Sequence, residues 1–377
     1  MPTLVNSLER DLLARAETYL QQCVGPKAAQ LDRDPKALQQ ALQGLGERQL
    51  LGLRVPEQWQ GAGLSAIAAC KFRETVAQYS GALAFIQTQH QSAARMLSQS
   101  QNESLKQQYL SDMSQGNVLV GIGYSQLRRP GQPMVRATPI EDGTAAGSYC
   151  LEGEIPWVTG AGFFQAFIVG ATLPEGQAMF GWLPLATTTQ VAGGRLTLSE
   201  PLQLAAMHST NTVKARLENW ILPSAQVVGM KPAGWIHRRD RHNALQHSFF
   251  ALGCARAGLD ILDQAQTAQL PFIATSFAAL NDELNRCRTA IYQSQQDSSS
   301  LQTDSLQTDR LEHQLELRAW AIELAVRCAH AAVAVSRGSA NYSHHAAQRV
   351  YREALAFTVF GQTSAVMEAT LARIVQR

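Results

Sequence analysis

The feature that most limits the fold of this chain is a double change of texture along its length. Up to about residue 115, apolar residues recur at intervals of three and four. Leu12, Leu13, Ala16, Tyr19 and Leu20 do so first, the spacing of one helical face. Residues 66–97 continue as two helices split at Ser80–Gly81, after a loop at Arg54–Leu64 marked by Pro56, Gly61 and Gly63. From Val118 to about Val228, β-branched and aromatic residues punctuated by Gly and Pro take over. Phe167–Ala171, Met179–Pro184 and Leu196–Leu198 are short strand candidates of an all-β module. From Arg241 the helical period returns, and Leu311–Val335, free of Gly and Pro, predicts the clearest long helix. The order helical, β, helical gives an α+β class and three domains: 1–117, 118–230 and 231–377. A chain of 377 residues with 45 % hydrophobic residues exceeds one ordinary domain and can bury a large shared core.

Several function classes are disfavoured. The net charge is +2 and the basic residues are scattered, so no electrostatic preference stands out. The one dense cluster, His237–His242 with Arg238, Arg239 and Arg241, is too narrow for nucleic-acid binding and is expected to be a solvated loop. Six isolated cysteines with no CxxC pair argue against a metal site. Cys254, Cys287 and Cys328, in helix-like stretches, are expected to be small buried apolar residues. Glu9, Arg10 and Asp11 stand where a signal peptide needs apolar residues, and no apolar run reaches the roughly 18 residues of a membrane span. A reducing, cytoplasmic compartment is the simplest expectation. Ser294–Arg310, with its tandem SLQTD-SLQTD, holds almost nothing that could pack and is expected to be a mobile interhelical loop.

Five local motifs, taken in this order, resemble the acyl-CoA dehydrogenase family. Leu51–Leu64 (LGLRVPEQWQGAGL) is similar to L-G-x-x-x-P-E-x-x-G-G-x-G-L. Tyr149–Gly162 (YCLEGEIPWVTGAG) resembles the strand pair containing W-I-T-N. Met207–Gly229 is similar to the R-x-S-x-T…F-x-x-V-x-V-P…L-G strand. Gln348–Ala354 (QRVYREA) and Phe360–Arg373 (FGQTSAVMEATLAR) resemble the final helix, turn and helix. The resemblance implies an N-terminal helical domain, a middle β domain and a C-terminal four-helix bundle, with FAD as cofactor.

A flavin needs a flat apolar wall and a few polar groups at the ring's edge. Trp157 and Thr159 offer both if they share one strand face, and in the family the matching residues contact the flavin. The plainer alternative is a buried Trp beside a core Thr. Tyr124 and Ser125, in Gly121–Pro130 (GIGYSQLRRP), fall where the family presents amides and a hydroxyl to the flavin edge. Arg128 and Arg129 replace that motif's usual acidic ending. They could meet a phosphate or carboxylate, or be solvated. Thr363 matches a Thr near the family's flavin phosphates; a helix cap is the alternative.

The family's reaction needs a carboxylate that takes the proton alpha to a thioester carbonyl while hydride passes to the flavin. The resemblance places Gly361, in FGQT, where most members have that Glu, and Asn243 at the other known base position. Both lack a titratable group, so the catalytic residue is unassigned. Two FAD contacts are also missing: Ala265–Phe277 has no Arg, and Arg337–Asn341 (RGSAN) stands for a glycine-rich segment. His90, His208, His242, His247, His344 and His345 are candidate replacements, against an ordinary structural or surface role. Three functions stay open. One is a flavin-dependent oxidoreductase acting on an acyl thioester or similar small molecule through a non-standard base or on a non-standard substrate. The second is a flavin monooxygenase of the same fold. The third is an inactive binding or assembly protein. A homodimer or homotetramer is expected, because Leu311–Val335 is apolar around much of its circumference and must be covered on several sides.

Overall fold

The computed structural model describes residues 6–143, 145–296 and 304–376. Six helices come first: α1 (Ser7–Tyr19), α2 (Ala28–Leu31), α3 (Pro35–Glu47), α4 (Ala66–Tyr79), α5 (Gly81–Ser98) and α6 (Glu103–Gln115). The split between α4 and α5 lies at Ser80, whose hydroxyl accepts from the Leu83 amide at 3.2 Å and so caps α5. Leu12, Ala16 and Tyr19 of α1 point inward at the predicted spacing. Between α3 and α4 the chain folds back on itself, with Leu64 N bonded to Leu53 O at 2.7 Å and Ala62 N to Gly52 O at 3.0 Å. Gly61 permits this. A Cβ there would lie 2.1 Å from the Val55 carbonyl oxygen.

Nine strands follow: β1 (Val120–Gly123), β2 (Val135–Pro139), β3 (Tyr149–Val158), β4 (Ala166–Thr172), β5 (Ala178–Pro184), β6 (Thr188–Thr189), β7 (Arg195–Leu198), β8 (Val213–Leu222) and β9 (Val227–Lys231). They form one sheet in the order β6-β7-β8-β3-β2-β4-β5-β9, with β1 parallel to β4. β3 and β8 pair antiparallel, and their register shifts between Ile155 and Val158, which matters for the site.

The chain then returns to helix: α7 (Trp235–His242), α8 (Ser248–Gln264), α9 (Pro271–Gln296), α10 (Asp304–Ser336), α11 (Ala346–Thr358) and α12 (Ser364–Val375). Helices α8, α9, α10 and α11 pack as a bundle, with α12 against α10. This is the helical, β, helical fold expected. Cys254, Cys287 and Cys328 are buried in the bundle and all six cysteines are free. Three expectations change. His237–His242 is a helix, not a loop. Both ends of the expected loop Ser294–Arg310 are helical, because α9 runs to Gln296 and α10 starts at Asp304; residues 297–303 lie outside the described residues. Finally, α10 is apolar and long enough to cross a membrane by composition, yet it is covered within its own chain by α8, α9, α11 and α12. Leu317, Ala321, Leu324, Ala325 and Cys328 are buried in that core. Its apolar circumference therefore carries no argument for a partner subunit.

Two buried acids tie the parts together. Asp32 accepts from the Met207 amide at 2.7 Å and from Arg352 of α11 at 2.6 Å. Glu353 accepts from Arg349 at 2.7 Å and from the Gly81 amide at the start of α5 at 3.0 Å. His90 joins α5 to the sheet. Its Nδ1 accepts from the Val120 amide at 3.1 Å, which leaves Nε2 to donate to the Met113 carbonyl at 2.9 Å. Burial holds this imidazole's pKa down to about 4, so it is neutral and structural.

Candidate active site

A cavity of about 540 Å³ opens where α4, α5, β9 and α7 converge. Helix α5 turns Thr88, Gln91, Ser92 and Arg95 toward it at the three-and-four spacing of one face. Arg73 enters from α4, Arg54 from the folded-back loop and Arg239 from α7. Arg73 donates from Nη1 to the Gln246 carbonyl at 3.2 Å, and its Nε is enclosed without a partner. Arg239 lies over Tyr124 and Trp235, 5.7 and 5.5 Å from the ring centres. Burial lowers the pKa of Arg54 and Arg73. Burial, and then the field of Arg54, Arg239 and Arg73, pushes Arg95 down to about 10. Arg95 therefore stays a cation at neutral pH.

Beside the cavity, His247 precedes α8 and lies against Gly361 in the turn before α12. Gly361 has φ +57°, and a Cβ there would lie 2.4 Å from both Cδ2 and Nε2 of His247. The imidazole thus occupies the space a side chain at 361 would need. Arg318 of α10 fixes this arrangement: Nη2 donates to the Phe360 and Gly361 carbonyls at 2.5 and 3.2 Å, and Nη1 to Ala244 O at 3.1 Å. Nδ1 of His247 is enclosed with no partner among the described residues. Burial, followed by Arg318, Arg128, Arg73 and Arg239, holds its pKa well below 6.5. It is a neutral imidazole at pH 7, and the burial and cations that keep it neutral also oppose its protonation.

The sequence-predicted residues meet different fates. Tyr124 is buried and lines the cavity. Ser125 Oγ beside it is buried with no hydrogen-bond partner among the described residues. Trp157 is 47 % exposed on β3, an indole face left open on the sheet. The expectation that Thr159 shares that open face does not hold. β3 ends at Val158, the register shift breaks the alternation, and Thr159 is buried with its hydroxyl 3.0 Å from that of Thr212. Thr363 caps α12, its hydroxyl accepting from the Val366 amide at 3.3 Å. Asn243 lines the cavity, and its amide donates to the Arg239 carbonyl at 2.7 Å. Arg128 meets a carboxylate within its own chain, bidentate to Asp240 at 2.6 and 2.9 Å, while Arg129 is exposed. Of the remaining histidines, His345 caps α11, His344 stacks on exposed Tyr342, and exposed His242 bonds to the Arg238 carbonyl.

Sequence reasoning missed the convergence of the arginines and the seat of His247. The only local signal was Arg95 itself, a charge on the α5 face that Thr88 and Ser92 turn inward. The cluster at His237–His242 is split by its helix. Arg239 faces the cavity, Asp240 pairs with Arg128, and Arg238 and Arg241 face solvent.

Comparison with known proteins agrees with this geometry. The family described as acyl-CoA dehydrogenase, N-terminal domain, matches residues 6–117. A probable acyl-CoA dehydrogenase, YngJ of Bacillus subtilis (strain 168), is 23 % identical over 362 residues, 93 % of each chain. The fold matches butyryl-CoA dehydrogenase from Megasphaera elsdenii with TM-score 0.78 and 17 % identity over the whole of both chains. It also matches KijD3, solved with FMN and a dTDP-linked amino-keto sugar, with TM-score 0.73 and 18 % identity over 99 % of this chain and 95 % of that one. A matched N-terminal domain, a relative aligned over nearly the full length and the shared three-part fold make the chain similar to the acyl-CoA dehydrogenases in sequence over residues 6–117 and in fold throughout.

Proposed function

We propose that this protein is a flavin-dependent oxidoreductase in which His247 takes the place of the family's carboxylate base. The observation that supports it is the packing of a neutral, unpartnered imidazole on Gly361, the position the family resemblance assigns to that base. The residues present fit a flavin in part. Trp157 offers an open aromatic face and Ser125 an enclosed hydroxyl awaiting a partner. Thr159 and Thr363 spend their hydroxyls on Thr212 and on α12, so they are weaker contacts than the motif implies. FAD, when bound, supplies the hydride acceptor. The chain's own part is to hold the ring against Trp157, orient the substrate in the cavity, and take a proton at His247. Arg318 keeps the base and the Gly361 turn in one fixed relation. A homo-oligomer is supported by α12, whose Met367, Leu371, Ile374 and Val375 form an exposed apolar stripe opposite buried Val366 and Thr370.

The test is the flavin content and the anaerobic bleaching of the purified protein by a panel of acyl thioesters. Trp157→Ala should lose flavin. His247→Gln should keep flavin and lose about 10²–10⁴-fold in rate, the usual worth of a general base. Full activity in His247→Gln would remove His247 from the reaction. One second reading is a flavin monooxygenase of the same fold, a fold that KijD3, solved with FMN, shares. Oxygen uptake with supplied reduced flavin, and no bleaching by thioesters, would select it.

A further inference from the structure

The cavity is electrostatically one-sided. Arg54, Arg73, Arg95 and Arg239 line it, exposed Lys231 adds a fifth cation, and among the described residues no Asp or Glu contributes to its wall. Elsewhere six partly buried arginines are paired with acids: Arg128 with Asp240, Arg288 with Glu74, Arg327 with Glu283, Arg349 with Glu353, Arg352 with Asp32 and Arg373 with Glu323. Among the described residues, none of the four cavity arginines has a carboxylate within 4.0 Å. Gathering unneutralised like charges into a partly dry space costs stability, and an incoming anion would return that cost. A guanidinium fork matches the paired oxygens of a carboxylate or phosphate, and the Ser92 hydroxyl adds a neutral donor to the same wall. A saturated hydrocarbon chain in the same space would strip water from the guanidiniums and offer them no acceptor.

We infer that the cavity holds its substrate by a compact pair of oxyanion groups, carboxylate or phosphate, gripped by Arg54, Arg73, Arg95 and Arg239. This rests on the reading of the cavity as the substrate site of the oxidoreductase and gives that substrate its chemical class. The anionic end lies among the arginines, and the reacting carbon lies toward His247, which Arg73 and Arg239 also neighbour.

Isothermal titration of the full-length protein as purified, at low ionic strength, tests it with glutarate, inorganic phosphate and uncharged glutaramide. Glutarate or phosphate should bind, and which of them binds tells a carboxylate site from a phosphate site. Arg95→Gln should weaken that binding about ten- to hundredfold, the usual loss of one charge-assisted contact. The surface variant Arg15→Gln should bind as wild type. Without ligand, Arg95→Gln should melt no lower than wild type, because a repulsion has been removed, so weakened binding will not be misfolding. The inference fails if neither anion binds, if glutaramide binds as well as glutarate, or if Arg95→Gln and Arg239→Gln both keep wild-type affinity. Flavin content, read separately by absorbance, keeps the two readings apart. Loss of flavin with anion binding intact counts against the flavin alone, and retained flavin without anion binding counts against the anion site alone.

Discussion

Gly361→Ala adds a single methyl group at the point where the structure is least able to receive it. The backbone there has φ +57°, where an L side chain costs about 1–2 kcal/mol. The new Cβ would also fall 2.4 Å from the His247 ring, inside any permitted contact, and overpacking of this kind costs about 1–3 kcal/mol. The two terms sum to about 2–5 kcal/mol, or a fall in Tm of about 4–10 °C at about 2 °C per kcal/mol. They can be separated. His247→Ala removes the ring, so in the double variant only the backbone strain remains. The double-mutant cycle should then show a favourable coupling of about 1–3 kcal/mol, well above the roughly 0.5 kcal/mol expected of independent sites. Thermal and urea unfolding of the four proteins measure it. Additive costs would refute the reasoning, because the imidazole would then not be seated on Gly361. The same collision means that Gly361→Glu alone cannot rebuild the family's base. Only Gly361→Glu combined with His247→Ala has room for the carboxylate.

Two further outcomes follow from other parts of the structure. His90 has its pKa held down to about 4 from 6.5, so its neutral form stabilises the fold fully above pH 6.5. That contribution, about 3 kcal/mol from the size of the shift, is lost as pH falls from 6.5 through 4. Urea midpoints should therefore drop between pH 7 and pH 5, and an equally steep drop in His90→Gln would contradict the assignment. On α12, Leu371→Glu and Ile374→Glu place charges in the exposed apolar stripe and should yield a 41.1 kDa monomer in sedimentation. An assembly mass unchanged by either would move the subunit contact elsewhere.

Much of the fold was legible because it is written in local periodicity. The three- and four-residue spacing gave α1, α4 and α5, Ser80–Gly81 marked the split between two helices, and the β-branched runs gave β4, β5 and β7. The site was less legible because its relations are not periodic. Alternation placed Thr159 with Trp157, but a register shift near the strand's end turned Thr159 inward. Nothing in the sequence around Gly361 announces that His247 fills the missing side chain. Arg54, Arg73, Arg95 and Arg239 lie in four separate segments, and only the packing of α4, α5 and α7 shows that they share one wall. A net charge near zero hid this, because the compensating acids lie elsewhere.

Two groups among the arginines of this protein therefore respond to dissolved salt in opposite directions. For the six partly buried ones paired with acids, added ions screen an attraction and weaken it slightly. For the four unpaired ones, ions screen a mutual repulsion, and the Debye length of about 10 Å at 0.1 M is comparable to the width of a cavity of this size. The ligand-free protein carries its own demand for counter-ions, which the buffer meets when no substrate does. Purification in dilute buffer would hold it in its least comfortable state, and a handling protocol built around moderate salt would mimic, weakly and without specificity, the effect of an occupied cavity.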